Sequence, residues 1–112
     1  MLNVKKFFDE DLPAALENNK EKVKSIGATF QLDIEGAGIW TIDCVNVACT
    51  SGAAPNPDCT IKLYSSDIET LLENPKDNAL KLFFSGRMRI LGNQILSANF
   101  AQVLGLVAPT KT

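Results

Sequence analysis

The chain of 112 residues has no histidine, one tryptophan, one tyrosine and three cysteines. Each shortage removes a class of chemistry. Without imidazole, the commonest zinc ligand and the commonest general base are both absent, so no metal site is expected. No Gly-x-Ser-x-Gly elbow occurs, and with no histidine to activate a nucleophile an enzyme is not expected, although a Ser, Asp or Cys acting alone stays open. Cys44, Cys49 and Cys59 lack C-x-x-C spacing and sit in apolar strand-like runs, which suits reduced, buried thiols of a cytoplasmic protein. No apolar run approaches the ~18 residues of a membrane-crossing helix, and Met1–Asp9 lacks the apolar stretch of a secretory signal.

What is present is ordinary in amount and uneven in placement. Hydrophobic residues make up 46% and charged residues 21%, and a net charge of -2 gives no reason to expect nucleic acid. Residues 1–112 read as a single domain, long enough to bury roughly two-thirds of its unfolded surface. Asp33, Glu35, Asp43, Asp58, Asp67, Glu69 and Glu73 face only Lys62 in the middle of the chain. Beyond them Lys76, Lys81, Arg87, Arg89 and Lys111 face only Asp77. That positive end could draw anionic head groups weakly.

The first 26 residues read as helical, with Val4, Phe7, Phe8 and Leu12 at helical spacing, a reset at Pro13 and a stop at Gly27. The Lys20–Lys24 cluster reads as a solvated helix face, with head-group contact as the other reading. From Gly27 the period changes to two. Phe30, Leu32 and Ile34 alternate with polar residues, and after Gly36-Ala37-Gly38 so do Trp40, Ile42 and Cys44. A three-residue loop predicts a hairpin pairing Ile34 with Trp40, Leu32 with Ile42 and Phe30 with Cys44, which keeps the apolar residues on one face. Asp33, Glu35 and Asp43 then share the wet face, where nothing apolar raises a pKa, and they read as surface charge more than as an acid/base pair.

A short strand near Val47–Ser51 and a turn-rich loop precede the strand Cys59–Tyr64. Ser66-Asp67-Ile68-Glu69 has the capping-box pattern, and Asn74-Pro75 starts another helix carrying Leu80, Phe83 and Phe84. Gly86 permits a reversal, Met88 and Ile90 alternate with Arg87 and Arg89, and Gly92-Asn93 opens a helix predicted to reach about Val107. Its stripe is Leu96, Phe100, Val103, Leu104 and Val107, with Ile95 and Leu106 off it, so the extra apolar surface serves either a partner or a cavity. Arg87 and Arg89 are placed to pair with Asp33 or Glu35 across strands. The elements make a two-layer α+β domain with helices covering one face of a mostly antiparallel sheet.

Pro57-Asp58-Cys59-Thr60-Ile61, the Ser66-Asp67 helix start, and above all Phe83-Phe84-Ser85-Gly86-Arg87-Met88-Arg89-Ile90-Leu91-Gly92-Asn93 resemble the sterol carrier protein 2 family, whose corresponding run is Phe-Phe-x-Gly, a basic residue, an aliphatic one, a second basic one and Gly-Asp/Asn. With the hairpin and the last helix, the likeness spans roughly residues 26–107. It implies a five-stranded sheet with a tunnel beneath its helices for a fatty acid, fatty acyl-CoA, sterol or phospholipid, and no cofactor. The residues matching the lining are Phe30, Trp40, Phe83, Phe84, Met88, Ile90, Ile95, Leu96 and Phe100. The run Pro109-Thr110-Lys111-Thr112 is not the tripeptide that sends animal members to peroxisomes, so peroxisomal residence is not expected. With no thiolase, dehydrogenase or sulfatase segment in the sequence, a stand-alone cytoplasmic carrier is expected, monomeric or weakly dimeric, with transient membrane contact. The alternative is an accessory domain that presents a lipid or isoprenoid quinone to a partner enzyme, or dimerises as a scaffold.

Overall fold

The computed structural model describes residues 3–106. Helix α1 (Val4–Lys6) is capped by Asn3, whose side chain accepts the Lys6 N–H at 3.0 Å. A π-helical turn, Phe7–Asp11, follows, then α2 (Leu12–Asn18) and α3 (Lys20–Ile26). The expected helical run is there, but its irregularity precedes Pro13. In the wide turn the Leu12 N–H reaches back to the Phe7 carbonyl, and the next donor would be that of residue 13, a proline with none. The Phe8 carbonyl is instead met by the buried Cys49 thiol, which donates at 3.3 Å. The break between α2 and α3 falls at Asn19, and Gly27 ends α3 in the left-handed region (φ 62°).

Strands β1 (Thr29–Glu35), β2 (Gly38–Asp43), β3 (Ala48–Ser51), β4 (Cys59–Tyr64) and β5 (Arg89–Gly92) form one sheet in the order β3-β2-β1-β4-β5. The β1–β4 pairing is parallel and the others antiparallel, a mostly antiparallel α+β sheet. The hairpin register differs from the expected one. Leu32 pairs with Trp40, Phe30 with Ile42 and Ile34 with Gly38, two residues away from the predicted partners. A two-residue shift leaves every side chain on its own face, so alternation cannot detect it and the turn decides. Here the Ala37 N–H closes on the Ile34 carbonyl at 3.0 Å, and Gly36 (φ 92°) supplies the reversal.

The covered face is continuous: Phe30, Leu32 and Ile34 of β1, Trp40 and Ile42 of β2, Cys59, Ile61 and Leu63 of β4, and Ile90 of β5 are all buried. On the other face the 52–57 loop is tied down by the Gln31 side chain, which accepts the Ala54 N–H at 3.1 Å.

A 3-10 turn, Ser65–Asp67, leads into α4 (Ile68–Glu73), so the helical segment begins earlier than the capping-box pattern implies. Neither flanking residue, Tyr64 or Asp67, caps it with a side chain, and Asp67 is used elsewhere. Helix α5 (Pro75–Phe84) starts at Asn74-Pro75 as expected. The chain reverses at Gly86 (φ 81°), where the N–H groups of Arg87 and Met88 both reach the Leu82 carbonyl. After β5, Gly92 (φ 84°) lies so close to β4 that a Cβ would stand 2.8 Å from the Asp58 carbonyl oxygen, which Asn93 then caps with its N–H at 3.0 Å. The last helix is shorter than predicted. A 3-10 turn, Gln94–Leu96, capped by the Asn93 side chain, precedes α6 (Ser97–Gly105). Phe100, Val103 and Leu104 enter the core with Leu96 and Leu106 packed against it, and Val107 lies outside the described residues.

Candidate functional site

Helix α5 presents Lys76, Ala79, Leu80, Phe83 and Phe84 at offsets of three, four, seven and eight, which is one face of the helix. Across from it α6 offers Ser97, Ala98 and Ala101, and between them Met88 and Ile90 make the floor. The facing residues of α6 are short, so the two helices contact one another without filling the space over β5. A cleft of about 270 Å³ is left. Phe84 is 79% exposed and Leu80 54%, so the cleft opens to solvent along that edge of α5.

Its polar groups are few: Lys76 at the start of α5, Ser97, and Gln94, whose amide donates to the Ile90 carbonyl at 3.2 Å. Such a wall suits an apolar guest, because burial of hydrocarbon is non-directional and needs little polar matching.

The nine residues singled out from the sequence separate into three groups. Phe83, Phe84, Met88 and Ile90 line the cleft. Ile95 and Leu96 lie on the 3-10 turn beside it, Ile95 turned to solvent at 84% exposure and Leu96 packed against the core. Phe30 and Phe100 are fully buried against each other, with ring centroids 6.0 Å apart, and do not line the cleft. Nor does Trp40, which stacks on Phe8 at 5.1 Å while its indole N–H donates to Asp9 Oδ1 at 2.8 Å. Lys76, Ala79, Leu80, Gln94, Ser97, Ala98 and Ala101 were not on the sequence-based lining. The helical spacing of residues 76, 79, 80, 83 and 84 carried that information for α5, whereas alanine and serine on α6 gave no signal.

The expected cross-strand partners of Arg87 are also different. Its Nε donates to both Asp67 carboxylate oxygens, at 3.0 and 2.9 Å, and its guanidinium lies 5.4 Å over the Tyr64 ring. Asp33 pairs instead with Lys62 at 3.9 Å. Asp33, Glu35, Lys62, Tyr64, Arg87 and Arg89 border a second hollow, of about 320 Å³, whose mixed charges favour ions of neither sign.

The thiols are poorly set for nucleophilic work. Burial is the larger cause, with the charges of Asp43 and Asp9 adding to it, and together they push Cys44 up to about 11 and Cys49 up to about 12. Burial, and then Asp58, also raises Cys59. Among the described residues no group of three or more potential ligands could hold a metal ion, and no helix is long and apolar enough to cross a membrane.

A family model described as the SCP-2 sterol transfer family matches residues 10–105 of the chain. Among solved structures, sterol carrier protein domain 2 of Helicoverpa armigera is similar at 20% identity and a TM-score of 0.70, over 96% of this chain and 90% of that one. Sterol carrier protein 2 of Aedes aegypti, solved in complex with the C16 fatty acid palmitate, matches at 14% identity and a TM-score of 0.70, over 96% and 99%. A UbiJ-SCP2 ubiquinone synthesis protein matches at 17% identity and a TM-score of 0.63, over 93% and 87%. At these identities the three likenesses concern the fold.

Proposed function

Since the chain belongs to the SCP-2 sterol transfer family, we propose that it is a non-catalytic lipid carrier holding the hydrocarbon part of a fatty acid, acyl-CoA, sterol or phospholipid in the α5–β5–α6 cleft. The observation that carries this reading is the cleft's lining. Phe83, Phe84, Met88 and Ile90 turn apolar surface toward an unfilled space with few polar groups around it. Each methylene moved into it from water contributes about 0.8 kcal/mol, and ordering and association costs take back part of the sum. The flexible Met88 thioether on the floor suits guests of different shape. Palmitate in the Aedes aegypti relative supports the same class of guest.

The test is competition by unlabelled fatty acid, sterol and acyl-CoA against a fluorescent fatty acid, with native mass spectrometry of the purified protein. The carrier reading requires saturable displacement and a co-purifying lipid mass. Absence of uptake of every amphiphile tried would remove it.

A second reading rests on the likeness to the ubiquinone synthesis protein and on the exposed Phe84 and Ile95: the cleft would present a lipid or isoprenoid quinone to a partner enzyme. It is favoured if a bound lipid stays on the protein in the presence of acceptor vesicles, where a carrier releases it.

A further inference from the structure

We infer that the rim of the cleft, Leu80 and Phe84 of α5, together with Ile95 on the 3-10 turn beside it after β5, is the surface by which the protein docks on an anionic bilayer. Phe84 and Ile95 are 79% and 84% exposed, more than any other large apolar side chain among the described residues, and they belong to segments bordering one opening. An isolated exposed leucine needs no explanation, but a phenylalanine and an isoleucine standing out beside an apolar cleft do.

Charge identifies the occupant. Residues 74–106 hold four cations, Lys76, Lys81, Arg87 and Arg89, against one acid, Asp77, and from residue 78 onward there is no acid at all. Residues 3–73 hold six cations against twelve acids. Arg87 is consumed by Asp67, while Lys76, which lines the cleft, and Lys81, next to Leu80, make no ion pair among the described residues. Apolar side chains between free lysines, at the positive end of an acidic protein, match an interface of acyl chains and anionic head groups.

The N-terminal helices are the obvious competitor, and they lack both features. Residues 4–26 hold five lysines and five acids; Phe7, Phe8, Leu12, Leu16 and Val23 are buried in the core and Val4 and Ile26 are half-buried against it, so no large apolar side chain of this stretch is exposed. Lys6 and Lys20 are paired with Asp11 and Glu17.

Docking is separable from uptake, since sedimentation with vesicles needs no guest in the cleft. A chain that sediments but takes up no fatty acid would refute the carrier and leave docking standing. The experiment is co-sedimentation with phosphatidylcholine vesicles, with and without phosphatidylglycerol, at low and high salt. The expected result is binding that requires phosphatidylglycerol and fades with salt. It should fall about fivefold for each of Lys76→Ala and Lys81→Ala and about tenfold for Phe84→Ser or Ile95→Ser, while Lys20→Ala and Lys22→Ala leave it unchanged. All of these side chains are exposed or at the rim, so circular dichroism should confirm that each variant folds. Equal binding to neutral vesicles, no binding to either kind, or an equal loss from the Lys20 and Lys22 variants would overturn the inference. So would a dimer that Phe84→Ser dissociates, because the patch would then serve a second copy of the chain.

Discussion

The chain contains two Phe-Phe pairs on helical segments, and they end in opposite states. Phe7 and Phe8 meet edge to face at 5.0 Å and are 4% and 0% exposed; Phe83 and Phe84 meet in a similar way at 5.6 Å and are 37% and 79% exposed. Composition does not explain the difference, but the backbone at each pair and the neighbours do. Around the first pair, the wide turn before Pro13 lets both rings sink toward β2 and β3, where Trp40 stacks on Phe8 and the Cys49 thiol meets the carbonyl that the turn leaves open. Around the second, α6 answers with Ser97, Ala98 and Ala101, too short to reach across. One end of the layer between sheet and helices is filled by the protein and the other holds an open cleft.

The sharpest way to break this contrast is stability. Phe8→Ala should cost about 3–5 kcal/mol, as truncation of a fully buried aromatic does, whereas Phe84→Ala should lie within about 0.5 kcal/mol of the parent; urea unfolding of both checks it. Comparable losses would mean that Phe84 is held by packing the structure does not contain. A smaller effect is expected at the filled end from Asp9→Ala, which leaves the Trp40 indole N–H without its acceptor and should cost roughly 1.5–3 kcal/mol. Trp40 is the only tryptophan, so its emission reports that end alone. It should shift to the red in Asp9→Ala and stay where it is when a fatty acid is added to the parent.

The thiols give the mildest test. Cys44 and Cys49 ionise in the folded chain only at about 11 and about 12, against an ordinary 9.0, because burial penalises the thiolate. The folded state therefore holds these protons more tightly than the unfolded one. Their contribution to stability is complete below about pH 9 and is lost as pH rises toward 11–12. Thiol labelling at pH 8 should accordingly be slow and limited by opening of the fold, and stability should decline through the alkaline window.

Much of the contrast was legible in the sequence, and the reasons for the rest are specific. Alternation in β1 and β2 placed Phe30, Leu32, Trp40 and Ile42 on the covered face, and the run from Phe83 to Asn93 revealed the reversal at Gly86 and a helical start after Gly92-Asn93, but not the close approach of Gly92 to Asp58. A face is not a place on the face, however. Trp40 on β2 and Ile90 on β5 share a side of the sheet but stand three strands apart, about 14 Å at the usual strand spacing. Alternation is equally blind to the two-residue register shift between β1 and β2. The space in the cleft comes from small side chains on α6, and a helix-period search weights large ones, so the residues that leave room were the ones passed over.

On the proposed function, a lipid's hydrocarbon enters at the α5–β5–α6 end and nowhere else. Methyl NMR of the protein titrated with a long-chain fatty acid tests it most directly. The Met88 and Ile90 methyl signals should move and saturate together while those of Leu12 and Ile42, buried in the core away from the cleft lining, stay fixed. Saturable uptake that moves Leu12 and Ile42 and leaves Met88 unmoved would contradict it.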